Sequence, residues 1–200
     1  MSYDTWLHKI SRTLIVQPLI KTAVAPNKIT GLRLITGLGA AGCILIGEKF
    51  WLDLGAGLFI FSMLLDRADG DYARLTEQTS ALGHKFDLIS DAICNSLIFV
   101  GLGVGLRNGV FGPWSLVMGV IAGVSVAVVL ILVVWVEKKK GDHAGEIKGF
   151  DGFDPDDAMI IVPVLIWGGW SDYLLVAASV GAPFFAIIFA YIASYRIRSR

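Results

Sequence analysis

From Pro113 to Val136 the chain carries no charged residue. A helix needs roughly 20 predominantly apolar residues to cross the hydrocarbon core of a bilayer, so a run of this purity reads as a membrane span. The rest of the chain agrees with it. Its 200 residues are 55% hydrophobic, with a mean hydropathy of +0.68, more apolar surface than a soluble domain of that size needs. Formal net charge is zero, so there is no global attraction to nucleic acid. The expectation is an all-α membrane protein forming one domain over residues 1–200.

Six apolar segments organise it: Thr30 to Gly47, Leu52 to Leu75, Gly83 to Leu106, Pro113 to the residue before Glu137, Asp157 to Trp170, and Tyr173 to Ser194. The fifth is shorter than a span needs, and its other reading is a re-entrant segment. Residues 1–26 mix Asp4, His8, Lys9, Arg12 and Lys21 with Trp6, Leu7, Ile10, Leu14, Ile15 and Leu19. That pattern predicts an amphipathic helix lying in the membrane interface rather than a cleaved leader; the other reading is a soluble tail.

Charge placement tests the count. With six spans and the N-terminus inside, the cytoplasmic side collects Lys9, Arg12, Lys21, Lys28, Arg33, Arg67, Arg74, Lys85, Lys138, Lys139, Lys140, Lys148, Arg196, Arg198 and Arg200. Those are 15 of the 17 basic residues, leaving Lys49 and Arg107 outside, as the positive-inside rule expects. Both termini are then cytoplasmic and the protein sits in the cytoplasmic (inner) membrane. The hydrophilic connection Glu137 to Asp156 ends in Asp154-Pro155-Asp156-Asp157, which reads either as a helix cap with an N1 proline or as a second metal site. Gly37, Gly39 and Gly42, and Gly101 and Gly105, suit close helix packing. Cys43 and Cys94 lie in apolar segments and read as packing residues. His8 and His143 have no partner at ligand spacing.

The acids carry the chemistry. A carboxylate at mid-bilayer costs about 2.5–3.5 kcal/mol on insertion scales, so intramembrane acids usually face a polar cavity and have a function. Asp66, Asp69 and Asp71 fall in segment two, Asp87 and Asp91 in segment three. With Asp66 at zero and about 100° per residue, Asp69 lies at about −60°, Gly70 at about +40°, Ala73 at about −20° and Arg74 at about +80°. Asp71 leaves that stripe and reads as peripheral. Asp87 and Asp91 are one turn apart on one face. A short turn joins the two helices, so the two faces can meet. Four carboxylates that converge repel one another unless cations join them, and all-oxygen ligation favours Mg²⁺ or Mn²⁺ over zinc. The other reading is an ion-pair network with Arg67, Arg74 and Lys85. Gly70 and Ala73 clear a floor, and Arg74 offers a fork for phosphate oxygens. Metal, arginine and a cleared floor together describe a diphosphate site.

Asp66-x2-Asp69-Gly70-x2-Ala73-Arg74-x8-Gly83-x3-Asp87-x3-Asp91 resembles the complete signature of the CDP-alcohol phosphotransferases (CDP-alcohol phosphatidyltransferases), class I. All eight fixed positions agree over 26 residues. The resemblance implies cleavage of a CDP-alcohol at its β-phosphate, transfer of the phospho-alcohol to an acceptor hydroxyl, and release of CMP in phospholipid synthesis. It implies two Mg²⁺ or Mn²⁺ ions on Asp66, Asp69 and Asp87, with Asp91 as general base and further metal ligand. Gly70, Ala73 and Gly83 would line the nucleotide pocket, Arg74 would touch the phosphates, and the protein would be a homodimer.

Pro26-Asn27-x-Ile29-Thr30-x2-Arg33 resembles a segment often found before the first span in this family. Asn27 and Thr30 either meet the cytidine and phosphates or cap the helix. Lys85 either binds an anionic acceptor or snorkels. The implied donor is CDP-diacylglycerol with a water-soluble alcohol as acceptor, the alternative being CDP-choline or CDP-ethanolamine with a lipid acceptor. Two other classes use similar acids. Aromatic prenyltransferases lack the Gly70-x2-Ala73-Arg74 element, and a divalent-cation transporter or channel needs acids along a path through the membrane, whereas segments four and six have none in their apolar cores.

Overall fold

Pro26 at the first helical turn and Gly47 just past the last frame the first long helix, the usual placement of these two residues. Gly47 takes the left-handed conformation (φ 84°) that closes the helix. The computed structural model describes residues 6–20, 22, 25–140 and 155–198. Among them all regular structure is helical: α1 (Trp6–Ser11), α2 (Gln17–Ile20), α3 (Pro26–Ile46), α4 (Lys49–Leu75), α5 (Ala81–Gly105), α6 (Trp114–Lys140), α7 (Ile161–Trp167) and α8 (Ser171–Arg198). Ser80 caps α5, its hydroxyl accepting from the Gly83 N–H at 3.0 Å.

Four of these helices are long and apolar enough to cross a membrane: Pro26–Ile46, Ala81–Gly105, Trp114–Val136 and Ser171–Ser194. Helix α4 is long enough at 27 residues, but its acids lower its mean hydropathy. The expected fifth segment is six residues of 3₁₀-helix, Pro155–Ile160, followed by α7. At their respective rises these extend roughly 22 Å, less than a hydrocarbon core. Pro155 begins the 3₁₀ turn. The proposed cap or second metal site at 154–157 lies outside the residues whose side chains are described, as do His143 and most of the 137–156 loop.

Helix α3 packs along α4 and α5, α6 against α5 and α8, and α7 against α4. The main apolar core joins Ala40, Ile44, Ala56, Phe59, Ile98 and Leu102 with Val162, Ile166 and Leu175. It fills the end of the bundle where α3 stops and α4 starts. A Cβ on Gly101 would lie 2.8 Å from the Ala41 carbonyl oxygen, so glycine is what lets α3 and α5 touch there. The glycine expectation holds for Gly37, Gly101 and Gly105, each of which faces a neighbouring helix. It fails for Gly42, which has nothing within 4 Å, and for Gly39, which is exposed. At about 100° per residue those two lie about 140° and 200° from Gly37, off the face that Ala40, Ala41 and Ile44 bury.

Exposed aromatic residues mark this end: Phe50, Trp114, Trp167, Trp170 and Tyr173. Trp135 and Tyr191 are exposed near the other ends of α6 and α8. At 1.5 Å per residue Trp114 and Trp135 are about 31 Å apart along their helix, the spacing of the two interfacial belts of a membrane protein.

The segment before α3 packs on α4. Ser11 Oγ donates to the Leu64 carbonyl at 2.9 Å, Tyr72 donates to the Thr22 carbonyl at 3.0 Å, and Val16 is buried with Leu65, Ala68 and Tyr72. Five residues of π-helix, Arg12–Val16, join α1 to α2, and their wider turn rotates Val16 back toward the face of His8 and Ser11. Ile10, Leu14 and Ile20 face outward.

Candidate active site

The acids gather at the end of the bundle opposite that core. Helix α4 delivers its C-terminal half, α5 its N-terminal half, and residues 76–80 connect them. Asp66, Asp87 and Asp91 each bring a carboxylate oxygen within 4.8 Å of the others. Asp69, buried, stands beside them and lines the same cavity as Thr30. Asp71 turns the other way, to Arg74 Nη2 at 2.7 Å and to His8 Nε2 at 3.9 Å. His8, which the sequence left without a partner, is therefore buried against α4 from a helix more than 60 residues upstream.

The cluster opens into a cavity of about 860 Å³. Its polar half is lined by the four acids with Asn27, Thr30, Gly70, Ala73, Arg74 and Gly83. Its other half is apolar, with Val126, Val129, Leu130 and Val133 from α6 and Ala182, Phe185 and Phe189 from α8. Arg74 lies over Gly70, where a Cβ would come 3.3 Å from Nη2. Asn27 Oδ1 lies 3.2 Å from where a Cβ on Gly83 would be. The capping alternative for Asn27 and Thr30 is not what forms: the N-cap of α3 is Ala25, without a side-chain cap, and both residues line the cavity. Lys85 is exposed and outside the lining.

The sequence reading missed two participants. Arg33, which the sequence showed as a cytoplasmic charge and as the last residue of the Pro26–Arg33 segment but gave no role in the site, is buried inside the cluster, with Nε 2.9 Å from Asp66 Oδ1 and Nη2 bonded to Asp91 Oδ1. A signal was present. At about 100° per residue, Arg33 falls in the middle of the stripe formed by Ile29, Thr30, Gly37, Ala40, Ala41 and Ile44, the face that α3 buries. Asn95, one turn beyond Asp91 on α5, also lines the cavity, continuing the Asp87–Asp91 stripe toward the interior.

The donor set fits hard divalent cations. It is all carboxylate, and Asp69 Oδ2 and Asp87 Oδ1 are buried without a hydrogen-bond donor among the described residues. Buried anionic oxygens left that way carry a large desolvation cost that a bound cation removes.

Fold and site together define an integral membrane protein with an acidic cavity that continues into an apolar groove. The profile of the CDP-alcohol phosphatidyltransferase family matches residues 23–195, and the chain belongs to that family. It is 32% identical over 110 residues to cholinephosphotransferase 1 of Danio rerio, covering 50% of this chain and 28% of that protein. It is 36% identical over 103 residues to cholinephosphotransferase 1 of Xenopus laevis, covering 46% of this chain and 25% of that protein. The matched part is thus about a quarter of the length of these relatives. The fold is that of Mycobacterium tuberculosis phosphatidylinositol phosphate synthase (PgsA1), solved with CDP-DAG bound: TM-score 0.62, 22% identity, over 97% of this chain and 92% of that one.

Proposed function

We propose that this chain transfers the phosphatidyl group of CDP-diacylglycerol to the hydroxyl of a polar alcohol and releases CMP. The observation that carries the proposal is the cavity's two-part lining, a carboxylate cluster at one end and an apolar wall on α6 and α8 at the other. The first suits a diphosphate with its cations, the second an acyl chain.

Asp66, Asp69 and Asp87 would hold two Mg²⁺ or Mn²⁺ ions, with Asp91 adjoining. When bound, such ions neutralise diphosphate charge and stabilise the leaving CMP. The chain's own groups do the rest. Arg74 meets phosphate oxygens from the rim, and Gly70, Ala73 and Gly83 leave room for the nucleotide to lie against the helices. Asn27 and Thr30 border the same pocket from α3. Asp91 accepts the acceptor's hydroxyl proton as the new bond to the β-phosphorus forms and the bond to CMP breaks.

The placement of the aromatic residues supports α4 as a span beside the four apolar helices, and a sixth at 155–167 would have to cross a locally thinned bilayer. Phe50 and Trp51 open α4 at the end where Trp114 and Tyr173 open α6 and α8, so α4 starts at a membrane interface although its acids lower its hydropathy. Asp66 then lies about 23 Å along the helix from Trp51, near the opposite interface and away from mid-bilayer. The basic-residue count supports a cytoplasmic mouth, with both termini on that side, in the inner membrane. The exposed Ile10, Leu14 and Ile20 support an interfacial N-terminal helix. The homodimer is carried over from the resemblance.

The similarity to cholinephosphotransferases favours a second reading, in which the donor is CDP-choline and a diacylglycerol acceptor fills the apolar half. Cation transport has less support, because the opposite half of the bundle is filled by apolar side chains. Purified protein given Mg²⁺ or Mn²⁺ should release CMP from CDP-diacylglycerol with one of a panel of polar alcohols. CMP from CDP-choline plus diacylglycerol, and none from CDP-diacylglycerol, would select the second reading. CMP from neither would overturn both.

A further inference from the structure

Arg33 is 3% exposed and stands among four carboxylates, at the junction of three helices. From α3 it reaches Asp66 on α4 through Nε and Asp91 on α5 through Nη2. Its backbone is held separately, the carbonyl accepting from Ser62 Oγ at 2.9 Å. Its Nε and Nη1 are buried with no hydrogen-bond partner among the described residues, so Nε meets Asp66 as an ion pair and not as an aligned hydrogen bond. Arg74, the arginine that the signature places on phosphate, lies over Gly70 and pairs with Asp71.

We propose that Arg33 is a built-in cation of the site: a positioning residue that ties Asp66 to Asp91 and competes with divalent cations for their oxygens. The proposal rests on the metal-dependent reading above. A guanidinium in contact with two carboxylates offsets part of their repulsion at all times, so the cluster holds together before any ion arrives. The same contact fixes the Asp91 carboxylate through its Oδ1. It also sets a ceiling on metal affinity, because an ion entering the cluster meets a fixed positive charge. Helix packing beneath it, around Gly37, Ser62 and Cys94, does not depend on the guanidinium, so its removal changes charge more than architecture.

The test is Mn²⁺ binding to purified protein by electron paramagnetic resonance, with thermal unfolding in chelator and in saturating Mn²⁺. Arg33→Gln should bind Mn²⁺ about tenfold more tightly than wild type, as loss of a unit charge a few ångströms from the ligands demands. It should unfold at lower temperature in chelator, and the gap should close in saturating Mn²⁺. Arg33→Lys keeps the charge without the fork. It should bind Mn²⁺ within about threefold of wild type, yet turn over about tenfold more slowly at unchanged CDP-alcohol KM. Unchanged or weaker Mn²⁺ binding by Arg33→Gln would overturn the proposal while leaving the active-site reading standing. Wild type that binds no Mn²⁺ would overturn the metal-dependent reading, and this inference with it.

Discussion

Asp91→Asn separates a base from a ligand. Asparagine keeps the volume and one oxygen, so the contact with Arg33 Nη2 survives and the packing of α5 on α3 is undisturbed. The lost property is the ability to take a proton. General-base catalysis by a positioned group contributes about 10²–10⁴-fold, or about 3–6 kcal/mol at 1.4 kcal/mol per decade. The expected result is a fall of that size in kcat for CMP release, with KM for the CDP-alcohol changed by less than about threefold. The assay is CMP release under saturating Mg²⁺, paired with donor binding by calorimetry. Asp87→Asn is the contrast. It neutralises the carboxylate whose buried Oδ1 has no donor, and should weaken Mn²⁺ binding more than Asp91→Asn does. Turnover by Asp91→Asn within threefold of wild type would refute the assignment. So would recovery of full turnover by excess metal, which would make Asp91 a ligand and not a base.

Chelation should abolish CMP release and Mg²⁺ or Mn²⁺ should restore it; full turnover in chelator, with metal shown absent, would refute the diphosphate site. Gly101→Val should lower the unfolding temperature, because its Cβ meets the Ala41 carbonyl oxygen and overpacking of this kind costs about 1–3 kcal/mol. Gly42→Ala, with nothing within 4 Å, should not, and equal unfolding temperatures for the two would refute the packing argument. A cysteine introduced at exposed Thr79, at the cavity mouth, in a chain with Cys43 and Cys94 replaced by alanine, should react with an impermeant thiol reagent only from the cytoplasmic face. Reaction from outside in intact cells would reverse the proposed sidedness.

What could be read from the sequence followed helix periodicity. The pairs Asp66–Asp69 and Asp87–Asp91 lie within one turn of each other, and the short 76–80 connection brings their helices side by side, so their meeting needed no long-range information. Arg33 needed it, since no residue near it in sequence names Asp66 or Asp91 as its partner; its place at the end of the Pro26–Arg33 segment and on the buried stripe of α3 hinted at a role without naming the partners. His8 is the same case, facing Asp71 across a helix packing that the amphipathic pattern does not encode. The glycines show the converse error. Gly39 and Gly42 are near Gly37 in sequence but on another face, and proximity along a helix is not proximity in space. The apolar half of the cavity was invisible for a different reason. Helices α6 and α8 are apolar all round, so their patterns cannot tell a lipid-facing side chain from one that lines a groove.

The same distribution explains how α4 serves two purposes along one helix. Its first half, with Leu52, Gly55, Ala56 and Phe59, packs into the apolar core, whereas its second half carries Asp66, Asp69 and Asp71. Alone, that second half would be a poor membrane segment, each acid adding to the transfer cost. Helix α3 changes the balance. It is joined to α4 by only Gly47 and Glu48 and lies along it, presenting Arg33 to Asp66. The two helices paired carry less uncompensated charge than α4 alone. Asp71 is compensated from the other side by Arg74. Asp69 Oδ2 and Asp87 Oδ1, which line the cavity without a hydrogen-bond donor among the described residues, are left where an ion can reach them from the aqueous mouth. The fold thus satisfies the acids it needs for insertion and leaves the rest to a ligand.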